Sequence, residues 1–485
     1  MFKVLFSLFL IFVLSACGHT GREHAQMIEA VRNGDFETAE QIAAKEDFYT
    51  DKPSLLVRYV ELGSLHYLKG EYYQALQNFD KAHALSKELY TTSVSKSVAA
   101  QITGDGVSPY AGEKYELSLL RFYQSVTHYR LYEQGFYEAY TVKTEQKNED
   151  GSIKEKLIER KELSVSEKKR HFNAARASIL DWNSLLTSYL NESSDKKSFK
   201  QDMLAKTYGA EIHDIYGSNG DKQIARQLYK DAQKLLNTVY ADYEAFTAEK
   251  KKSLSDYADR KREDLTASSA KKENVKFILK AGVITPKFAE KIDFNIPFSA
   301  FLISGSKSDT KDCLGMVLPG QRISFEIPSV KKPEKIKNYR LIVKNGADKI
   351  VASKDMILTA PVSETAYREF QNRRAGMIAK KGTRLTAKYA AAVIAACAIY
   401  ERDNLGTWLA AYTAFAASSA LIEASEYADV RYWGLLPHAV YQQSVSLKPG
   451  KYTGEIKTND QTVHTFPFTV SKSGLQLVDL NLPKE

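Results

Sequence analysis

Between Tyr59 and Ala82 the chain places small residues where two helices must touch and large ones around them. Tyr59, Leu62, Gly63 and His66 are followed by Ala75, Phe79 and Ala82, with Gly70-Glu71-Tyr72 marking a turn between. Read at 3.6 residues per turn, this spacing predicts an antiparallel helix pair in close approach at Gly63 and Ala75. One such pair leaves apolar surface uncovered, so neighbouring pairs must stack on it. The same grammar returns upstream in Asn33-Gly34-Asp35-Phe36 and Ala39, and downstream in Tyr123, Gly135-Phe136 and Ala139. It returns again in Tyr208-Gly209 with Ala225, Tyr229 and Ala232, where Gly217-Ser218-Asn219-Gly220 lengthens the turn. Residues 17–240 therefore read as a stacked helical array.

The strongest copy resembles a tetratricopeptide repeat. The resemblance implies an α-solenoid with a concave face lined by the first helix of each pair, while an unrelated helical bundle would use the same small residues. Offsets counted from Gly63 turn Ser64 and Tyr67 toward the concave side, and the same offsets select Gln124 and His128 in the third copy and Lys206 and His213 in the last. That lining is polar, aromatic and weakly basic, suited to an acidic or aromatic-bearing peptide. A solvated groove with no ligand is the plainer alternative. Residues 91–112, with Gly104-Asp105-Gly106 and Pro109, break helix. The charged stretch 141–165 turns at Asn148-Glu149-Asp150-Gly151 and reads as an inserted hairpin. A Lys/Glu-rich helix over 241–272 reads as a solvated connector.

From Val275 the period changes to two: Val275, Phe277 and Leu279; Ile323, Phe325 and Ile327; Tyr339, Leu341 and Val343; later Val445 and Leu447, and finally Leu475, Leu477, Leu480 and Leu482. Such segments are half-buried strands. They lie on both sides of a helical block, 362–428, so residues 273–485 read as a β-sandwich-like domain interrupted by an Ala-rich helical hairpin. The fold class is α+β, multidomain, and a parallel α/β sheet is disfavoured because strands and helices do not alternate. In the hairpin, Lys388–Tyr400 reads KYAAAVIAACAIY and Leu405–Ile422 reads LGTWLAAYTAFAASSALI. Small residues let helix backbones approach closely in water or in lipid, so a buried soluble hairpin and a membrane-inserted one both follow, the buried one first.

The N-terminus gives the address. Lys3, an apolar run from Val4 to Leu14 and then Leu14-Ser15-Ala16-Cys17-Gly18 form a secretory signal, with an apolar run too short to span a bilayer. The Cys17 stretch resembles the lipobox of bacterial lipoproteins. That implies a signal peptide over 1–16, a diacylglyceryl thioether and acylated amine on Cys17, and, from Gly18, retention at the outer membrane of a Gram-negative cell facing the periplasm. Cys313 and Cys397 remain; an oxidising compartment lets them pair, while Cys397 within Ala395–Ala398 also reads as a small hydrophobe on a buried helix face.

Four stretches, Tyr110–Glu116, Ala387–Ala390, Glu426–Pro437 and Leu447–Tyr452, resemble a family of uncharacterised Gram-negative lipoproteins with tetratricopeptide-like repeats. The resemblance implies an envelope accessory protein, working beside lipoprotein activators of cell-wall synthases. Within it, Asp429 and Arg431 read as an ion pair and Trp433 as a plug in the sandwich where the helices re-enter it.

No residue cluster announces a reaction. HExxH, CxxC, G-x-S-x-G and a P-loop are all missing, Gly315-x4-Gly320 being followed by Gln321-Arg322. The histidines lack metal spacing, and His66 reads as a packing residue. Lys plus Arg number 68 against 59 Asp plus Glu, spread evenly, which gives nucleic-acid binding no support. The expectation is a non-enzymatic scaffold that binds envelope proteins, without cofactor or metal, tied to the membrane by its lipid. A membrane-active or assembly component using the Ala-rich hairpin is the second reading, and exposure of 389–422 would favour it. A cell-wall hydrolase is the third, and a cleft with two close carboxylates would favour that.

Overall fold

The computed structural model describes residues 21–95, 108–147, 153–192, 199–266, 273–294, 323–471 and 475–484. The signal segment, Cys17, Gly104-Asp105-Gly106, the turn at 148–151, Cys313 and Gly315–Arg322 lie outside the described residues. The chain is a mixed α+β protein, helical in its first half and strand-rich in its second.

Helices α1 (21–32), α2 (Phe36–Ala43), α3 (Leu55–Lys69), α4 (Tyr72–Ser95), α5 (Lys114–Gln134), α6 (Val165–Asn191), α7 (Met203–Tyr216) and α8 (Asn219–Leu236) follow one another as stacked pairs. α3 stops where Gly70 takes a left-handed φ of 81°, which a side chain would resist. A methyl group on Gly63 would stand 2.6 Å from the Phe79 ring, so α3 and α4 meet at the residue whose smallness marked the contact. Between α5 and α6, strands β2 (Tyr140–Lys147) and β3 (Ile153–Ile158) pair antiparallel, and the short β1 (Phe136–Tyr137) and β4 (Lys161–Glu162) close their base.

Helix α9 (Ala248–Asp264) departs from the solvated connector expected over 241–272. Leu254, Tyr257, Ala258 and Lys261 are buried along one face against α8 and the sheet behind it. Lys and Glu on the other positions conceal this narrow stripe in the composition, yet its spacing is helical.

In the second half, one sheet runs β10 (Ile357–Ala360), β11 (Ala439–Val445), β5 (Val275–Ala281), β14 (Gln476–Leu482), with β14 parallel to β5. The other runs β13 (Gln461–Val470), β12 (Gly450–Thr458), β8 (Arg340–Asn345), β9 (Ile350–Asp355). Phe277 and Leu279 of β5 share one core with Leu341, Val343, Ile456 and Phe466 of the second sheet. The alternate residues of β5 are not solvated: Ile278 joins the core of the helical half, and Lys276 and Lys280 are buried beneath it. The first sheet thus lies between the helices and the second sheet, covered on both faces.

Two elements stand apart. Strands β6 (Lys287–Phe294) and β7 (Ile323–Val330) form a separate ribbon, and on it lies the long helix α10 (Val362–Cys397), followed by α11 (Leu405–Ser425). The turn between them is closed by Asn404, whose side chain accepts from the N–H of Gly406 and Thr407. Leu385, Tyr389, Val393 and Ala396 pack on Phe325, Ile327 and Phe415 along the inner seam.

Candidate functional site

The faces of α3, α5 and α7 that meet the second half carry acids. Glu61 and Glu116 are buried and accept backbone N–H groups of the segment 433–435: Trp433 N–H bonds Glu116 Oε1 at 2.9 Å, Leu435 N–H bonds Glu61 Oε2 at 3.2 Å, and Gly434 N–H bonds Glu61 Oε1. Glu211 and Asp214 hold Lys276, the latter at 2.7 Å. Burial pushes the Glu116 carboxyl up to about 7, against the pull of Lys287. Burial acts the same way on its neighbour Glu113, but Arg373 and Lys287 beside it hold that carboxyl down to about 2. The segment around Trp433 therefore occupies the helical array much as a bound peptide would, with its backbone donors met by carboxylates.

The residues selected from repeat offsets do not share an open surface. Ser64 and Tyr67 are both 1% exposed. Ser64 Oγ accepts the Trp433 indole N–H at 2.7 Å, and the Tyr67 hydroxyl bonds Asp479 beside Lys280. Gln124 turns to Asp80 at 2.7 Å, His128 to His171 at 2.9 Å, Lys206 to Asn183 at 3.3 Å, and the buried His213 to Asp221 at 2.6 Å. These four meet neighbouring helices: Gln124 reaches α4, His128 and Lys206 reach α6, and His213 reaches α8. Glu61, Glu116 and Glu211 were missed; their only sequence signal is that each lies within two residues of a small or aromatic contact residue on a first helix.

Trp433 is likewise corrected. It packs on Phe79 and Tyr123 of the helical half, not inside the paired sheets. Arg431 and Asp429 pair at 2.8 Å, and the guanidinium also donates to the Pro53 and Ser108 carbonyls at 2.8 and 2.7 Å.

A cleft of about 920 Å³ opens between α5 and strands β13 and β14, with Arg130, Glu133 and Asp479 among its walls. Burial pushes Glu133 up to about 7, but the carboxylate accepts from Arg130 at 2.8 Å, and Asp479 is held by Lys280 and Tyr67. Both carboxylates serve structural ion pairs, which is poor preparation for general acid and base work. Among the described residues no group of three or more His, Cys, Asp or Glu has the geometry to hold a metal ion.

The hairpin is the exposed feature. From Leu405 to Glu423, α11 is long and apolar enough to cross a membrane, with 11% of that stretch buried. Ile394 on α10, Ile399 in the turn that follows it, and Leu405, Leu409, Tyr412 and Leu421 on α11 are 42 to 78% exposed. This overturns the buried reading of the hairpin: two helices can cover one seam, and nothing else among the described residues packs over the outer faces of the last turns. Cys397, near the tip, is disulfide-bonded rather than a free small hydrophobe; the chain's other cysteines, Cys17 and Cys313, both lie outside the described residues.

Charge sharpens the hairpin's division into root and tip. Residues 373–388 contain six basic and no acidic side chains, and 389–400 and 405–422 contain no charge at all. At the root Glu426, 2% exposed, is shared by Arg384 and Lys388, and Lys381 donates to the Glu326 and Tyr427 carbonyls. Comparison with family models, with curated proteins and with solved structures finds no match to this chain.

Proposed function

We propose that this chain is a lipid-anchored envelope protein without catalytic activity, an assembly component that inserts the tip of its helical hairpin into a lipid bilayer. In this reading the body is a tetratricopeptide-like solenoid closed on a β-sandwich, and it acts as the scaffold that carries the hairpin. The observation that carries the proposal is the exposed pair of charge-free legs, 389–400 and 405–422, joined by the polar turn Glu401-Arg402-Asp403-Asn404. The α11 leg is about 27 Å long, close to a hydrocarbon core of about 30 Å, while the α10 leg of about 18 Å reaches part of that depth. At the root the exposed Lys380 suits anionic headgroups, and Trp408 and Tyr412 lie near the far end, where an aromatic belt would sit. The concave face of the solenoid supports a partner less well, because the chain's own residues 433–435 and β5 fill it.

The test is flotation of residues 18–485, produced without the signal segment and so without acyl groups, with vesicles of phosphatidylethanolamine and phosphatidylglycerol. The protein is expected to float, and Leu405→Glu with Leu409→Glu to abolish flotation while leaving the melting curve unchanged. Failure of the unsubstituted hairpin to float would overturn the reading.

A further inference from the structure

Strand β14 leaves one edge open. It lies parallel to β5 on one side, and among the described residues no strand pairs with its other side. Gln476 N–H donates to the Asn274 carbonyl, and Gly282 N–H to the Leu482 carbonyl. The even-numbered residues of β14 therefore turn their main-chain groups to β5, and the odd-numbered ones turn theirs away. Of the odd set, Leu477 N–H donates to Glu133 at the end of α5. Asp479 is half-buried although its side chain is 1% exposed, so the part of it open to solvent is main chain. At Asn481 the side-chain Oδ1 is buried and accepts no hydrogen bond among the described residues. This edge is one wall of the cleft of about 920 Å³, and the edge strand β13 is the facing wall. β13 is interrupted by Pro467, which has no N–H to offer, as edge strands that resist pairing commonly are. β14 contains no proline.

We propose that the free edge of β14 is a docking site for an extended segment of another protein, which joins the first sheet as a fifth strand with its backbone bonded to Asp479 and Asn481. Side chains along β14 alternate between the helical half, as Leu477 does, and the second sheet, as Val478 does. An added strand continues that alternation. One side of the guest meets Tyr132 and Lys168 from the helices, and the other meets Phe468 of β13. Arg130 is paired with Glu133 and Asp479 with Lys280, which leaves Lys168 as the lining Lys or Arg without an ionic partner among the described residues. The guest is therefore an apolar strand carrying an acidic residue on its helix-facing side. Nothing in this site depends on the hairpin or on a membrane.

The test pans a displayed library of short random peptides against residues 18–485, and the tightest peptide is synthesised and its affinity read by fluorescence anisotropy. Enriched sequences are expected to be apolar and to share an acid. Methylation of alternate backbone nitrogens along one edge of the peptide should abolish binding, and methylation of the other set should leave it unchanged, because one edge alone faces β14. Asn481→Pro removes an N–H turned away from β5 and should abolish binding without moving the melting curve. Lys168→Glu should weaken binding about tenfold. Should Asn481→Pro melt early, the methylated pair and Lys168→Glu decide alone. No enriched peptide, an enriched set without the acid, or binding indifferent to methylation would overturn the proposal. A dimer in sedimentation that Asn481→Pro dissociates would make the occupant a second copy of this chain and overturn it as well.

Discussion

The indole N–H of Trp433 donates to Ser64 Oγ at 2.7 Å, joining a residue of the strand-rich half to α3 of the helical half, 369 positions earlier. Around this bond the two halves share one core, with Trp433, Leu435 and Leu436 clustered with Val60, Phe79 and Tyr123. The halves are therefore expected to unfold together.

Trp433→Ala should cost about 3–5 kcal/mol through the cavity it opens. Ser64→Ala should cost about 1–3 kcal/mol by leaving the indole N–H buried without an acceptor. Urea denaturation followed by circular dichroism measures both. An unchanged midpoint for Trp433→Ala would show that the interface does not hold the halves together.

Lys280 and Asp479 form a buried pair, 3% and 1% exposed, beneath Tyr67. Lys280→Met alone strands a buried carboxylate and should destabilise by about 3–5 kcal/mol, whereas Lys280→Met with Asp479→Leu should recover most of that loss. A double variant no more stable than the single one would show that the charges are supported by other groups.

Stability should carry a component that falls as pH rises toward 7. The Glu116 carboxyl titrates at about 7 in the folded chain, above its unfolded value, so its contribution is full below about pH 4.5 and is lost as pH passes 7. Glu133 acts in the same sense. Glu113, held at about 2, acts oppositely: its contribution is present above about pH 4.5 and disappears toward pH 2. Glu116→Gln should flatten the decline between pH 5 and 8 by on the order of 2 kcal/mol, read from melting temperatures across that range. An identical slope in the variant would place the titration elsewhere.

Cys17→Ser should leave an unlipidated precursor that keeps its signal segment, because the thioether forms on sulfur before cleavage. Palmitate labelling and migration on a gel decide it. A labelled, processed variant would remove the lipid anchor from the proposal.

The amino-acid sequence by itself determined the local features. Gly63 and Ala75 could only be helix contacts, because no other packing asks for small residues at that spacing beside Tyr59 and Phe79. The period-two runs became strands, and 389–400 with 405–422 became two helices joined by Asn404. Local rules suffice there because each depends on near neighbours along the chain. What tertiary structure decided was which faces were covered. Ser64 and Tyr67 were selected as open groove residues, but Trp433, Lys280 and Asp479 from several hundred residues away cover them. Lys276 and Lys280 read as the wet face of a strand until the acids of α7, the Tyr67 hydroxyl of α3 and the carboxylate of β14 were laid over them. The hairpin, apolar enough for a core, was left with its outer faces bare. Burial is a property of the whole assembly of elements, and periodicity reports only that a face differs from its opposite, not what lies against it.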